Sequence, residues 1–176
     1  MGDPAEPAAT ARRARTIAAL GSTLFFALAP GVVAGVVPWW LTGWRAADSP
    51  FALRVLGAGL IAAGAAVLVD AFARFVMEGI GTPAPVAPTE RLVIGGLYRH
   101  VRNPMYLAVA AAIAGQALLL GRPLLLAYAA AFGVTVWAFV RFYEEPALTR
   151  RFGAQYERYR RSVPGWWPRW TPSDPA

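Results

Sequence analysis

Four apolar runs of near-membrane length constrain this chain more than any other feature of its sequence. They cover residues 16–41, 52–77, 104–120 and 123–143. A helix needs about 20 residues to cross a hydrocarbon layer of roughly 30 Å, and all four runs approach that length. The third is the shortest and corresponds to about 25 Å of helix. The runs therefore predict an all-α integral membrane protein with about four transmembrane helices.

Composition supports a membrane location and excludes several kinds of site. Hydrophobic residues make up 57% of the chain and charged residues only 15%, which is not the balance of a soluble domain. The chain has no cysteine, so disulfides, thiolate metal sites and cysteine nucleophiles are excluded. With a single histidine, His100, a multi-histidine metal site is excluded as well. We therefore expect no metal.

The basic residues indicate an orientation. All 17 are arginine, and only Arg45, Arg54 and Arg122 fall on one side of the predicted spans, against 14 on the other. The positive-inside tendency then places both termini and the 78–103 segment in the cytoplasm. The net charge of +7 is interpreted as contact with anionic lipid headgroups, because no nucleic-acid-binding motif is present. Arginine without lysine, beside abundant alanine and glycine, hints at a bacterium and hence at its inner membrane.

Proline and glycine divide the chain into three parts: a cytoplasmic tail (1–15), two N-terminal transmembrane helices (16–77) and a C-terminal region (78–176). The first helix is interpreted as an uncleaved span with a kink near Pro30. Prolines and glycines forbid regular structure over 79–90. The short 121–123 connection, with Pro123 at a first helical position, makes the last two spans an antiparallel hairpin.

Three further patterns have mainly structural interpretations. Phe152, Tyr156 and Tyr159 recur at helical spacing and predict the apolar face of one interfacial amphipathic helix. Asp70, Arg74 and Glu78 lie four residues apart and predict an ion-pair ladder.

Small residues on the second run favour close helix packing, for example Gly57, Gly64 and Ala65. Trp166, Trp167 and Trp170 predict a membrane-surface anchor, and His100 is expected to be a solvated loop residue.

The hairpin brings two polar features to one end of the molecule. Asn103 and Pro104 predict a capped helix N-terminus, which favours a carboxylate or phosphate through its free N–H groups. Glu144 and Glu145 end the fourth run and must return to the same membrane face. Carboxylates are unfavourable at a helix C-terminus, which favours a functional role for them. The predicted niche suits a zwitterion with separate carboxylate and ammonium ends.

Four ordered elements carry a family resemblance. "GGLYRHVRNPMYL" (95–107) is followed by "EEPAL" (144–148), "FGAQYERY" (152–159) and "VP" (163–164). Residues 78–168 thereby resemble the C-terminal half of the isoprenylcysteine carboxyl methyltransferase family and its phospholipid methyltransferase relatives. That resemblance implies a membrane enzyme that uses S-adenosylmethionine, with a membrane-embedded cofactor site in place of a Rossmann domain.

The resemblance also assigns residues. The family elements that line the cofactor pocket match Gly96, Tyr98, Arg102, Asn103, Pro104, Tyr106, Glu144, Glu145 and Leu148. Asn103 stands where the family more commonly has histidine, and because asparagine cannot titrate, an acid–base role there is in doubt.

S-adenosylmethionine carries an activated methyl, so the enzyme needs alignment and a stabilising field more than a nucleophile. Glu144 or Glu145 would hold the cofactor's ammonium group, and Tyr98 or Tyr106 would lie against its adenine or sulfonium. Catalytic roles fall to Glu144 and Arg141, whose side chain would either pair with Glu144 or orient an anionic group of the substrate.

Two function classes remain open at this stage. The first is a methyltransferase acting on a lipophilic membrane substrate, which would be an isoprenylcysteine-like carboxylate, a phospholipid amine or another small lipophile. The second is a non-catalytic membrane protein or carrier that has kept the hairpin. Binding of S-adenosylmethionine distinguishes them. The sequence leaves the acceptor and the oligomeric state open.

Overall fold

Helices form all the regular structure of residues 28–78 and 92–173, which a computed structural model describes, with side chains described outside 75–78. No strand occurs in these residues, which confirms the all-α class. The helices are α1 (Leu28–Thr42), α2 (Phe51–Glu78), α3 (Pro104–Leu120), α4 (Leu124–Phe139), α5 (Glu145–Phe152) and α6 (Ala154–Ser162), with a short 3-10 helix at Gly96–Arg99 before α3.

Two helical stretches are long and apolar enough to cross a membrane. They are Phe51–Arg74 in α2 and Leu124–Phe152, in which a π-helical turn (Val140–Glu144) joins α4 to α5. The apolar helices α1 and α3 are shorter. Bounds predicted for the second and third runs agree with the structure to within one residue. The predicted total of four spans stays a prediction, and residues 16–27 of the first run lie outside the described part.

Small residues bring α2 and α3 into backbone contact. A Cβ added to Gly57 would lie 2.5 Å from the carbonyl oxygen of Gly115, and one added to Gly64 would lie 2.7 Å from that of Ala108. Ala71, one heptad further along α2, is fully buried. Close approach of this kind drives helix association in membranes, where no hydrophobic effect operates between helices. The expectation for Ala65 was wrong, because it lies on the exposed side of α2.

Polar side chains attach α1 to the hairpin. Residues Val32–Val36 of α1 are π-helical, beginning two residues after Pro30. Gln116 of α3 donates from Nε2 to the carbonyl oxygen of Ala34 at 2.6 Å, and the Tyr128 hydroxyl of α4 donates to that of Val33 at 2.9 Å. A membrane interior offers no water to such groups, so partners from neighbouring helices satisfy them.

The connection between α3 and α4 is as tight as predicted. Gly121 has a φ of +61° and lies against the 47–49 backbone, where a side chain would not fit. Helix α4 begins at Leu124, one residue later than expected, with Pro123 as its N-cap. The short turn makes α3 and α4 antiparallel, so the start of α3 and the end of α4 lie at one end of the bundle. We call this the site end.

The predicted single interfacial helix is in fact two helices. Gly153, with a φ of +52° and ψ of −127°, separates α5 from α6, so Phe152 lies on a different helix from Tyr156 and Tyr159. Both tyrosines are buried against the protein in a cluster with Val163. Residues 163–173 then continue without a helix; we call them the C-terminal strap. The strap runs over the loop that precedes α3.

Candidate functional site

The C-terminal strap holds the 95–103 loop through paired hydrogen bonds. The His100 backbone carbonyl accepts from the N–H of Arg169 at 3.0 Å, and the His100 Nδ1 lies 2.8 Å from the Arg169 carbonyl oxygen. Arg99 and Ser173 are paired in the same way, since each donates to the other's backbone carbonyl. His100 is a partly exposed loop residue, as expected, but its side chain is bonded to the strap. Its imidazole fastens the strap to the loop.

Asn103 is the N-cap residue of α3, as predicted, but its side chain does not cap the helix. Instead its Nδ2 donates to the carbonyl oxygen of Gly165 in the strap at 3.1 Å. The predicted capping hydrogen bond was wrong, and the strap holds the amide instead. Pro104 occupies the first position of α3 and has no N–H, so the N–H groups of Met105 and Tyr106 remain as the open donors of the first turn.

Arg102 is the hub of the loop. Its Nη1 donates to Glu145 Oε1 at 2.6 Å and to the Tyr156 hydroxyl at 3.0 Å, and its Nε donates to the Val163 carbonyl oxygen at 3.0 Å. The Arg102 and Glu145 side chains are 14% and 11% exposed. Arg160 approaches the other carboxylate oxygen of Glu145 at 3.7 Å. Both oxygens of Glu145 thus face arginines, as a buried carboxylate requires.

Tyrosine hydroxyls support this hub and remain neutral. The Tyr159 hydroxyl donates to the Tyr98 carbonyl oxygen at 2.8 Å, and the Tyr98 hydroxyl lies 3.0 Å from the Met105 sulfur. Burial raises the pKa of Tyr98 and Tyr159 well above the ordinary value. Burial also raises the pKa of Tyr156, to about 12. All three phenols therefore keep their protons at neutral pH and act as hydrogen-bonding groups.

Glu144 faces a different environment from its neighbour Glu145. Its Oε2 accepts from the Tyr106 hydroxyl at 3.1 Å, and within the described residues its Oε1 has no hydrogen-bond partner. The ring of Trp166, from the strap, lies 6.5 Å from that of Tyr106. A half-buried carboxylate with one open oxygen therefore lies beside two aromatic rings. The π-helical turn supplies the carboxylate, and α3 and the strap supply the rings.

The two adjacent glutamates reach different partners because successive residues of a helix point about 100° apart. Helical structure continues from α4 through Val140–Glu144 into α5, so neither glutamate ends a helix. The argument that their charge opposes a helix C-terminus was wrong, and Glu145 lies in the first turn of α5, where a carboxylate is favourable. Isolated π-helical turns are frequent at functional sites.

Two predicted site residues lie apart from Glu144. Arg141 is exposed and forms no ion pair with the described residues, so the expected pairing with Glu144 is not observed. Gly96 has a φ of +52° and lies under the Arg74 guanidinium, which would clash with any Cβ there. Arg74 in turn pairs with Asp70 at 3.1 Å, confirming that step of the predicted ladder; the Glu78 side chain lies outside the described part.

Sequence reasoning missed the contribution of the strap. Trp166 had been interpreted only as an anchor, yet its ring lies beside Tyr106, while the exposed Trp167 and Trp170 still fit an anchor. Tyr156 was assigned to an apolar face but accepts from Arg102. The helical spacing of Tyr156 and Tyr159 predicted that they share one face of a helix. No local pattern in the sequence indicates which distant residue packs against that face.

Comparison with known proteins agrees with this architecture. The chain matches the model of the phospholipid methyltransferase family over residues 52–155, more than half of its length. The match includes most of α2, which the resemblance had not covered, and ends before the strap. No curated protein and no solved structure matches the chain. The predicted family resemblance is confirmed, and this membrane protein belongs to the phospholipid methyltransferase family.

Proposed function

We propose that the protein transfers a methyl group from S-adenosylmethionine to a lipophilic acceptor at the cytoplasmic face of the membrane. Membership of a methyltransferase family supports the reaction type. The observation that carries the proposal is the Glu144 carboxylate, held through one oxygen by Tyr106 and open at the other, beside the ring of Trp166. This group lies at the site end of the bundle, where the family motifs converge.

The residues present fit the two charged ends of S-adenosylmethionine. The open oxygen of Glu144 suits its ammonium group, through a charge-assisted hydrogen bond. The rings of Tyr106 and Trp166 suit a sulfonium or an adenine, by cation–π contact or stacking. The cofactor's carboxylate would accept from the open N–H groups at the start of α3, because the Asn103 side chain leaves them uncapped.

Glu144 and Glu145 then have different roles. Both were predicted to line the cofactor pocket, but the arginines around Glu145 make it the residue that positions the loop. Through Arg102 it fixes the start of α3, and with it the side chains of Asn103 and Tyr106. Glu144 is the one that would contact the cofactor. When bound, S-adenosylmethionine supplies a methyl already activated on its sulfonium.

The chain contributes alignment and exclusion of water. Holding the reactants in the correct geometry raises the reaction rate by several orders of magnitude. The buried Tyr98 and the strap would also restrict the access of water to the reacting centre. Exposed Arg141 is free to orient an anionic group of the acceptor. An isoprenylcysteine-like carboxylate, a phospholipid amine and another small lipophile are all compatible with this arrangement.

Transfer of label tests the function directly. Membranes containing the protein are incubated with S-adenosylmethionine labelled on its methyl, and the extracted lipids are separated and counted. We expect a labelled lipid that is absent with Glu144→Gln and present with Asp48→Asn, which removes an exposed carboxylate beside the α3–α4 turn at the other end of the bundle. If the parent chain binds no cofactor and labels no lipid, the protein is a carrier or structural relative and the proposal is wrong.

A further inference from the structure

An open cavity of about 570 Å³, lined by both apolar and charged side chains, lies at the site end, between α2 and the loop before α3. Its polar lining comes from Asp70, Arg74, Arg99 and His100. Its described lining residues include Gly96 but not Glu144, Tyr106 or Trp166, so it lies beside the proposed contacts to the cofactor. The buried Tyr98 follows one of the lining residues, Leu97, and its hydroxyl bonds Met105 of α3. The cavity therefore contains charged groups that the proposed contacts to S-adenosylmethionine do not use.

The cavity offers hydrogen-bond donors that the described residues do not use. Arg99 is fixed through its Nε, which donates to the Ser173 carbonyl oxygen, and neither of its Nη groups has a described partner. His100 is fixed through Nδ1 by the Arg169 carbonyl oxygen, which can only accept a hydrogen bond and so places the N–H on Nδ1. Its Nε2 is then an acceptor, so the open donors of the cavity are the Nη groups of Arg99. Both side chains are held in place by the strap before any ligand arrives.

The charged side chains that line the cavity favour a ligand with one negative charge. Arg74 and Asp70 form an ion pair at 3.1 Å and largely neutralise each other. Arg99 forms no ion pair with the described residues, so the described side chains that line the cavity carry one positive charge in excess. A planar guanidinium with two open Nη groups matches the paired oxygens of a phosphate. A phosphodiester carries one negative charge, which would balance that excess.

The rim of the cavity is apolar on the side of the transmembrane helix. Ala66 and Val67 of α2 line it, and Val69 on the same helix is 69% exposed. An amphiphile lying against α2 would place its acyl chains on this surface and its headgroup at Arg99. Basic pockets between helix ends bind lipid headgroups in this way.

We propose that this cavity binds the phosphate of an anionic amphiphile, with the Nη groups of Arg99 as its contact. Because Arg99 also holds the C-terminal strap through the Ser173 carbonyl oxygen, a bound phosphate fastens the strap to the loop and to α2. The site thereby links the headgroup composition of the membrane to the segment that carries Trp166. The proposal does not depend on methyl transfer, and its test requires no cofactor.

Native mass spectrometry of the purified protein in detergent tests the site with three ligands. Phosphatidylglycerol has both the phosphate and the chains, diacylglycerol with the same chains lacks the phosphate, and glycerol 3-phosphate lacks the chains. We expect phosphatidylglycerol to bind at least about tenfold more tightly than diacylglycerol, as loss of a charge-assisted contact implies. Binding of glycerol 3-phosphate as well would assign the site to free phosphates. Equal binding of the two lipids would overturn the proposal, and this comparison needs no variant.

Variants then locate the site. Arg99→Gln should weaken phosphatidylglycerol binding about tenfold, whereas Arg150→Gln, which removes an exposed arginine that does not line this cavity, should leave it unchanged. Arg99→Lys keeps the positive charge but loses the planar pair of Nη groups, so its affinity should fall between those of the parent and Arg99→Gln, which a purely structural role for Arg99 would not predict. If Arg99→Gln and Arg150→Gln weaken binding equally, the lipid is responding to surface charge in general and the site is wrong.

Discussion

Arg102 donates to Glu145 across 2.6 Å, and this ion pair joins the loop before α3 to the first turn of α5. The two residues lie 43 positions apart, in separate motifs of the family. The same guanidinium reaches Tyr156 of α6 and the carbonyl oxygen of Val163 in the strap. One side chain therefore joins the loop before α3 to α5, α6 and the strap, beside the candidate site.

Arg102→Gln should destabilise the protein more than any exposed arginine substitution. Removing one partner of a buried ion pair leaves the other charge without compensation, which costs roughly 3–5 kcal/mol of unfolding free energy. We expect a lower midpoint of thermal unfolding in detergent and weaker binding of S-adenosylmethionine. Arg150→Gln is the matched control. Equal midpoints for the two variants would show that Arg102 is not the hub that its contacts describe.

Glycine at position 57 should be far less replaceable than glycine at position 59. A Cβ at Gly57 would collide with the Gly115 carbonyl oxygen, whereas one at Gly59 meets nothing within 4 Å. Overpacking costs about 1–3 kcal/mol, so Gly57→Val should lower the unfolding midpoint and Gly59→Val should not. Both changes are made on the same helix with the same side chain. If both lower the midpoint alike, α2 and α3 do not approach as closely as described.

Asn103 should tolerate histidine better than aspartate. Histidine restores the family's commoner residue and can still donate an N–H to the Gly165 carbonyl oxygen, so cofactor affinity should stay within roughly threefold of the parent. Aspartate has no donor and would face that carbonyl oxygen with a charge, at a cost of about 1–3 kcal/mol. Cofactor titration and thermal unfolding of both variants make the comparison. A well-behaved Asn103→Asp protein would mean that the Gly165 contact is unimportant.

Both termini should face the cytoplasm, because 14 arginines lie on one predicted side of the membrane and 3 on the other. Reporter fusions after residue 46, after Gly121 and at the C-terminus measure this. Only the C-terminal fusion should give a cytoplasmic signal. A cytoplasmic reporter after Gly121 contradicts the orientation of the α3–α4 hairpin and moves the site end to the other face.

The helices were predictable where local signals mark their ends. Pro104 starts α3 and Gly121 ends it, and both bounds were correct because each residue restricts the backbone on its own. Gly153 carries the same kind of signal, but the regular spacing of Phe152, Tyr156 and Tyr159 outweighed it, and the predicted helix was too long. Helical spacing shows which residues share a face only when the helix is unbroken.

The candidate site was only partly predictable, because its contacts are tertiary. The family motifs selected Arg102, Asn103 and Glu145 but not their pairing, since 61 residues separate Arg102 from Val163 and no local pattern joins them. Asn103 was assigned to its own helix because a cap is the nearest partner, yet the strap supplies a competing carbonyl oxygen. The π-helical turn at Val140–Glu144, which continues the helix beyond the predicted end of the fourth run, has no residue signature.

Titration of S-adenosylmethionine into purified parent, Glu144→Gln and Asp48→Asn proteins tests the central claim most directly. Glutamine keeps the shape of Glu144 and its contact with Tyr106 but removes the charge, and a charge-assisted hydrogen bond contributes roughly 1.5–3 kcal/mol. We predict that Glu144→Gln binds the cofactor about 10- to 100-fold more weakly, with an unfolding midpoint equal to the parent's, and that Asp48→Asn binds like the parent. Cofactor binding by Glu144→Gln as tight as that of the parent would contradict the account and place the site elsewhere.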